Sequence, residues 1–131
     1  VLWIGMNDIW EDTAFAVDVY AKILEYVAAR IAIGWGKIFV LTLPPAHIPG
    51  GDPTKAEQPH VTEQILALNA LIRANAGSDP YTCIDTAADS RLQDYDDETY
   101  FIQSGPRLPY MKEAGYIVVA ELVAPVLAAA W

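Results

Sequence analysis

The chain has 131 residues, 53% hydrophobic and 19% charged, enough apolar surface for one packed core and too much for a disordered chain. With 17 acidic and 8 basic residues its formal net charge is −9, a field that repels phosphate backbones and excludes nucleic acid as an expected partner. A single cysteine, Cys83, excludes an intrachain disulfide or a cysteine-based zinc centre, and no run reaches the ~18 uninterrupted apolar residues of a membrane span.

Val1 to Ile4 is an apolar run closed by Gly5 and reads as a fully buried strand. Asn7 and Asp8 are turn formers. From Thr13 to Ala32 a helix is expected, because Val19, Ile23, Val27 and Ile31 recur every fourth residue and Tyr20 and Leu24 widen the stripe. Thr13 is its expected N-cap, and Gly34 its left-handed terminator. Lys37 to Leu43 is rich in β-branched and aromatic residues and reads as a second strand, stopped by Pro44-Pro45.

The Pro/Gly-rich segment 46–59 is a loop. Val61, Ile65, Leu68 and Ile72 then mark a second helix that Gly77 ends. Tyr81 to Ile84 is a third strand, within which Cys83 reads as a buried, inert thiol. Residues 85–111 read as mostly irregular and acidic, and Lys112 to Ala130 as a last helix with Val119, Leu122, Val123 and Val126 facing inward. The order β-α-β-α-β-loop-α predicts a single α/β domain over 1–131, a parallel sheet with helices on both faces. Ligands in such sheets gather at the carboxyl ends of the strands, here Gly5–Asp8, Pro44–His47 and Asp85–Thr86. Val1 opens directly on a strand-like run without an initiator methionine, from which a partial domain is expected.

Gly5-Met6-Asn7-Asp8 carries the clearest chemistry. A glycine lets the backbone turn sharply, and an asparagine amide placed after it can aim donors at a developing oxyanion, worth roughly 3–4 kcal/mol each where such donors act. The same tetrapeptide also serves as a plain strand-to-helix turn.

With its context, the stretch from Val1 to Tyr116 resembles the later blocks of the SGNH/GDSL hydrolases. The residues carrying the resemblance are the strand ending in Gly5-Met6-Asn7-Asp8, a long helix, and a strand ending in Pro44-Pro45. After them come a helix with Asn69 near its middle, a strand ending in Asp85, Tyr100-Phe101, and the helix-starting Ala114-Gly115-Tyr116. The resemblance implies a three-layer, flavodoxin-like α/β/α domain lacking its first strands, with Asn7 as an oxyanion-hole donor.

Two departures bear on activity. The family's Gly-Asp-Ser nucleophile block has no counterpart, since Ser78, Ser90 and Ser104 fall in other segments. Its Asp-Gly-x-His segment is degenerate. One alignment places Ser104 at the acid and Arg107 at the base; counting back from Ala114 places Arg107 at the acid and Tyr110 at the base. Under neither is there a histidine. Arginine stays protonated near neutral pH and tyrosine is a poor base there, so neither takes a proton from a serine.

His47, on the expected rim of the site, is a candidate binding residue alongside Gly5 and Trp10, while His60 reads as a helix-start residue. Two isolated histidines do not make a metal site. The acidic run Asp94, Asp96, Asp97, Glu98 lacks the glycine and closing glutamate of a calcium loop and reads as solvated. Trp3, Trp10, Trp35 and Trp131 read as core or interface residues and not as a sugar-stacking platform, Trp10 being the one placed for ligand contact. No cofactor is expected. The sequence therefore predicts a catalytically degenerate or incomplete hydrolase-like module of a larger extracellular or virion protein. Its expected partners are other segments or chains of that assembly, with carbohydrate or a small ester as ligand. The alternative is the later part of an active serine esterase whose nucleophile lies ahead of Val1.

Overall fold

The computed structural model describes residues 1–11, 14–44, 59–94, 97–102 and 111–131, with the side chains of Asn7, Trp10, Glu11, Pro59 and His60 outside the description. In chain order the elements are α1 (Met6–Glu11), α2 (Ala16–Ala32), β1 (Phe39–Leu41), α3 (Pro59–Asn75), β2 (Thr82–Ile84) and α4 (Glu113–Ala130), with two short 3-10 turns at Thr86–Ala88 and Ser90–Leu92. It is a small α/β fold around a parallel sheet.

β1 and β2 pair in parallel, Phe39 opposite Thr82, Val40 opposite Cys83 and Leu41 opposite Ile84. Leu2 adds a parallel bridge to Val40, its N–H donating to the Phe39 carbonyl (2.7 Å) and its carbonyl accepting from Leu41 N–H (2.9 Å). Because Phe39 and Leu41 bond toward Leu2 while the Ile38 carbonyl and Thr42 N–H bond toward β2, β1 runs between the two. The ladder thus extends to residues 38 and 42, close to the expected second strand.

The first run departs from expectation. Only Leu2 of the four residues bridges and is buried; Val1 and Ile4 are exposed. Its apolar composition satisfied the pattern for a doubly covered strand, but among the described residues β1 is its sole strand partner. Asn7 and Asp8 also depart, since they lie inside α1 rather than in a turn. Ile9 N–H bonds back to the Gly5 carbonyl, and an acidic residue in a first helical turn is favourable. The helix expected from Thr13 begins at Ala16, its N-cap position being Phe15, which supplies no side-chain cap. Thr13 itself lies outside the described residues.

α2 and α3 pack on each other, and α1 touches both. Val19, Ile23 and Val27 of α2, with Val61, Ile65, Leu68 and Ile72 of α3, belong to one buried core with β1. Ile31 falls outside it at 40% exposed, one turn past the end of the covered stripe. Gly34 and Gly77 take the positive φ expected of helix terminators.

The segment after β2 is less irregular than its composition suggests. Its two 3-10 turns are fastened by Leu92, which is fully buried, and by Arg91, which pairs with Asp89 and Glu121. Phe101, also fully buried, bridges Met111 in antiparallel fashion just before α4.

Within α4 the buried residues are Gly115, Val118 and Val119, while Leu122, Val123 and Val126 lie partly buried against the core. This helix is long and apolar enough to cross a membrane by length and composition, the one such helix among the described residues. It carries Glu113, Glu121 and an interior Pro125, and packs against β2 and the second 3-10 turn, so it makes no clear span. Trp131 at its end is 92% exposed, and Trp35 is also exposed; Trp3 is half-buried, edge-on to Tyr116.

Candidate functional site at the carboxyl ends of the strands

Three buried polar side chains occur among the described residues, Thr42, Asn69 and Thr86, and all serve the carboxyl ends of β1 and β2. Burial of a polar group is tolerated only when its hydrogen bonds are made, so each marks a designed connection.

Asn69, in the middle of α3, reaches the last residue before the prolines. Its Oδ1 accepts from Leu43 N–H and its Nδ2 donates to the Leu43 carbonyl, both at 2.7 Å. One side chain thereby satisfies both backbone groups of a residue that has left the ladder.

Thr42 is equally committed. Its hydroxyl donates to Asp85 Oδ1 at 2.9 Å and accepts from Ala87 N–H at 2.9 Å, while Thr86 donates its own hydroxyl to the Thr42 carbonyl at 2.5 Å. Asp85 also takes a bidentate fork from Arg73, Nε to Oδ2 and Nη2 to Oδ1, each 2.7 Å. The Arg73 guanidinium, helped by the Thr42 hydroxyl, holds the Asp85 carboxyl below the usual carboxylate range. With both oxygens occupied, Asp85 serves as a strut between α3 and the strand ends and not as a proton acceptor.

A depressed carboxyl contributes stability that is present above its unfolded value, ~3.9, and lost as pH falls through the lower folded value. The pair is exposed by 41% and 35%, so screening keeps its worth small, about 0.5–1 kcal/mol. Urea midpoints of the parent and of Asp85→Asn are therefore expected to differ modestly at pH 7 and to converge in that acid window. A gap that persists unchanged below pH ~2 would rule out this linkage.

Gly5 closes the first segment with φ +110°, fully tucked against α2 and α3. A Cβ there would lie 2.9 Å from Val19 Cγ1 and 3.1 Å from Leu68 Cδ2. The sharp turn expected of Gly5 is thus real and is combined with a close approach. Asn7 stands in the first turn of α1, immediately beyond it, and Trp10 in the next; both side chains lie outside the described residues. His47, Ser104, Arg107 and Tyr110 also lie outside them, as do Pro45 and Asp96. His60 lies in the first turn of α3, as expected of a helix-start residue, with its side chain outside the description.

Cys83 is half-buried in β2, and burial pushes its thiol up, away from the thiolate that nucleophilic work needs. In the acidic run, Asp97 turns inward on its own loop, accepting Thr99 N–H at 2.8 Å, and Glu98 is exposed. Among the described residues no three His, Cys, Asp or Glu side chains gather as a metal site.

The sequence singles out Gly5, Asn69 and the Asp85–Thr86 strand end, but not Thr42 or Arg73. A threonine in Val40-Leu41-Thr42-Leu43 looks like one more β-former. Arg73 looks like a helix-end cation, which it is, and only the fold reveals the carboxylate it meets. No protein-family model, curated protein or solved structure matches this chain.

Proposed function

We propose that the chain is an SGNH/GDSL-hydrolase-like domain, of three-layer flavodoxin-like type, whose catalytic apparatus is degenerate or incomplete. It acts as a structural or binding module of a larger extracellular or virion assembly. The observation that carries the reading is the convergence of Gly5, Asn69 and Asp85, with the backbone just ahead of Pro44, at one end of a parallel sheet. These residues belong to the family resemblance, and each has a structural job there. Gly115 adds to it, since a Cβ at that position would lie 2.7 Å from the Tyr100 carbonyl oxygen, which fits the Ala114-Gly115-Tyr116 block. These positions support a scaffold of the family's kind, while the sequence offers neither a Gly-Asp-Ser nucleophile nor a histidine at the base position. Exposed apolar residues on the outer strand segment and on α4, including Ile4, Tyr116 and Ile117, suit a module with neighbours.

The purified chain is expected to release p-nitrophenol from p-nitrophenyl acetate no faster than buffer, with Asn7→Ala without effect. Turnover above buffer that disappears in Asn7→Ala would overturn the degenerate reading. The second reading, the later part of an active serine esterase with Asn7 as oxyanion donor, is favoured by the position of Asn7 in the first turn of α1, directly after the positive-φ turn at Gly5. A Gly-Asp-Ser encoded ahead of Val1, in a polypeptide that hydrolyses the same ester, would establish it.

A further inference from the structure

A cleft of about 300 Å³, within the lower range of small-molecule sites, opens between α3 and the turns that follow β2. One wall is a single face of α3, on which Thr62, Ile65, Leu66, Asn69 and Arg73 succeed one another at helical spacing. Leu43, Ala87 and Gln93 complete the lining. Ile65 is buried, whereas Leu66 is 61% exposed, so the apolar wall runs from the core out to the cleft's open side.

The polar groups are few and mostly pre-set. Asn69 spends its amide on Leu43. Arg73 uses Nε and Nη2 on Asp85, which fixes the plane of the guanidinium, and its Nη1 has no partner among the described residues. Gln93 donates Nε2 to the Ala88 carbonyl, leaving Oε1 as an acceptor. An immobilised donor and a neighbouring acceptor beside an aliphatic wall favour a ligand with one apolar arm and one head that both accepts and donates. Charge narrows the class further. An anion would meet the −9 field of the chain and the Asp85 carboxylate beside Arg73, and a cation would meet Arg73 itself.

We propose that this cleft binds a short aliphatic chain bearing an uncharged, carboxamide-type head, with the chain on Ile65 and Leu66 and the head between Arg73 and Gln93. The site does not depend on the hydrolase kinship and stands or falls separately from it. Hexanamide, hexanoate and hexylamine titrated into isotope-labelled protein, followed by amide NMR shifts, provide the test. Hexanamide is expected to give saturable shifts along α3 and residues 87–93, with the two charged analogues weaker. Leu66→Asp, at an exposed position that the fold tolerates, is expected to weaken hexanamide roughly tenfold, as loss of a buried leucine contact would. Gln93→Ala, also exposed, is expected to narrow the preference for hexanamide over hexanoate. Shifts that fail to saturate, that map to α4 instead, or that persist undiminished in Leu66→Asp would overturn the site. Hexanoate binding as tightly as hexanamide would overturn the ligand class.

Discussion

Replacing Asn69 by leucine is expected to destabilise the fold by about 3–4 kcal/mol, read as a fall in the urea midpoint with little change in slope. Leucine keeps the branch at Cγ but is larger than asparagine, so overpacking at this buried position adds to the loss of the hydrogen bonds. The variant strands Leu43 N–H and C=O together, in a residue only 2% exposed, and each buried orphan costs about 1–3 kcal/mol. Against a domain stability of about 5–15 kcal/mol that is a large fraction.

Asn69→Asp refines the test. Its carboxylate can still accept Leu43 N–H but turns a second oxygen toward the Leu43 carbonyl. Protonation restores a donor there, which raises the carboxyl's folded pKa, so the variant is expected to regain stability relative to the parent as pH is lowered. An Asn69→Leu midpoint within about 0.5 kcal/mol of the parent would show that Leu43 finds other partners and that Asn69 is not the clamp described.

The second large effect is expected at Gly5. Gly→Ala reduces the freedom of the unfolded chain, which by itself stabilises by about 0.4–1 kcal/mol. Opposing it, φ +110° strains an L side chain by about 1–3 kcal/mol, and overpacking of a filled core adds about 1–3 kcal/mol. The contacts are with Val19 and Leu68, both anchored in helices that pack on each other, so neither yields easily. Gly5→Ala should therefore lose about 2–4 kcal/mol net, as a lowered urea midpoint or melting temperature. Gly36→Ala, whose added Cβ would meet nothing within 4 Å, serves as the control and should be close to neutral. Equal behaviour of the two variants would contradict the close approach at Gly5.

The long helices and β1 and β2 were legible in the sequence, whereas the first run and part of the inward face of α4 were not. α2 and α3 announced themselves because Val19, Ile23 and Val27, and Val61, Ile65, Leu68 and Ile72, repeat at the helical period and are all buried. α4 is apolar over most of its surface, so its inward set is legible only in part: Val119, Leu122, Val123 and Val126 lie against the core as expected, but Val118, outside that set, is buried more deeply than Val126. The first run was misjudged for a related reason. Four apolar residues are compatible with a buried strand, but nothing local states whether partners lie on one side or two.

At the strand ends the split is similar. Gly5 and the asparagine in mid-helix stand out as unusual residues for their places. Arg73–Asp85 and Thr42–Asp85 join positions far apart in sequence, and such pairings are invisible until the strands are in register.

The parallel ladder also governs how this chain reaches its fold. Leu2 and Val40, and Val40 and Cys83, meet only after closure of loops of about forty residues each, because parallel neighbours cannot be joined by a tight hairpin. Local order must therefore come from within α2 and α3, whose hydrogen bonds close over single turns, while their packing on each other is as distant in sequence as the strand pairings. β1 is where the two pairings converge, being bound from both sides. Until it docks, Ile38 to Leu43 is a bare β-prone segment, and the interval before docking is when the chain is most exposed to sticking to its neighbours.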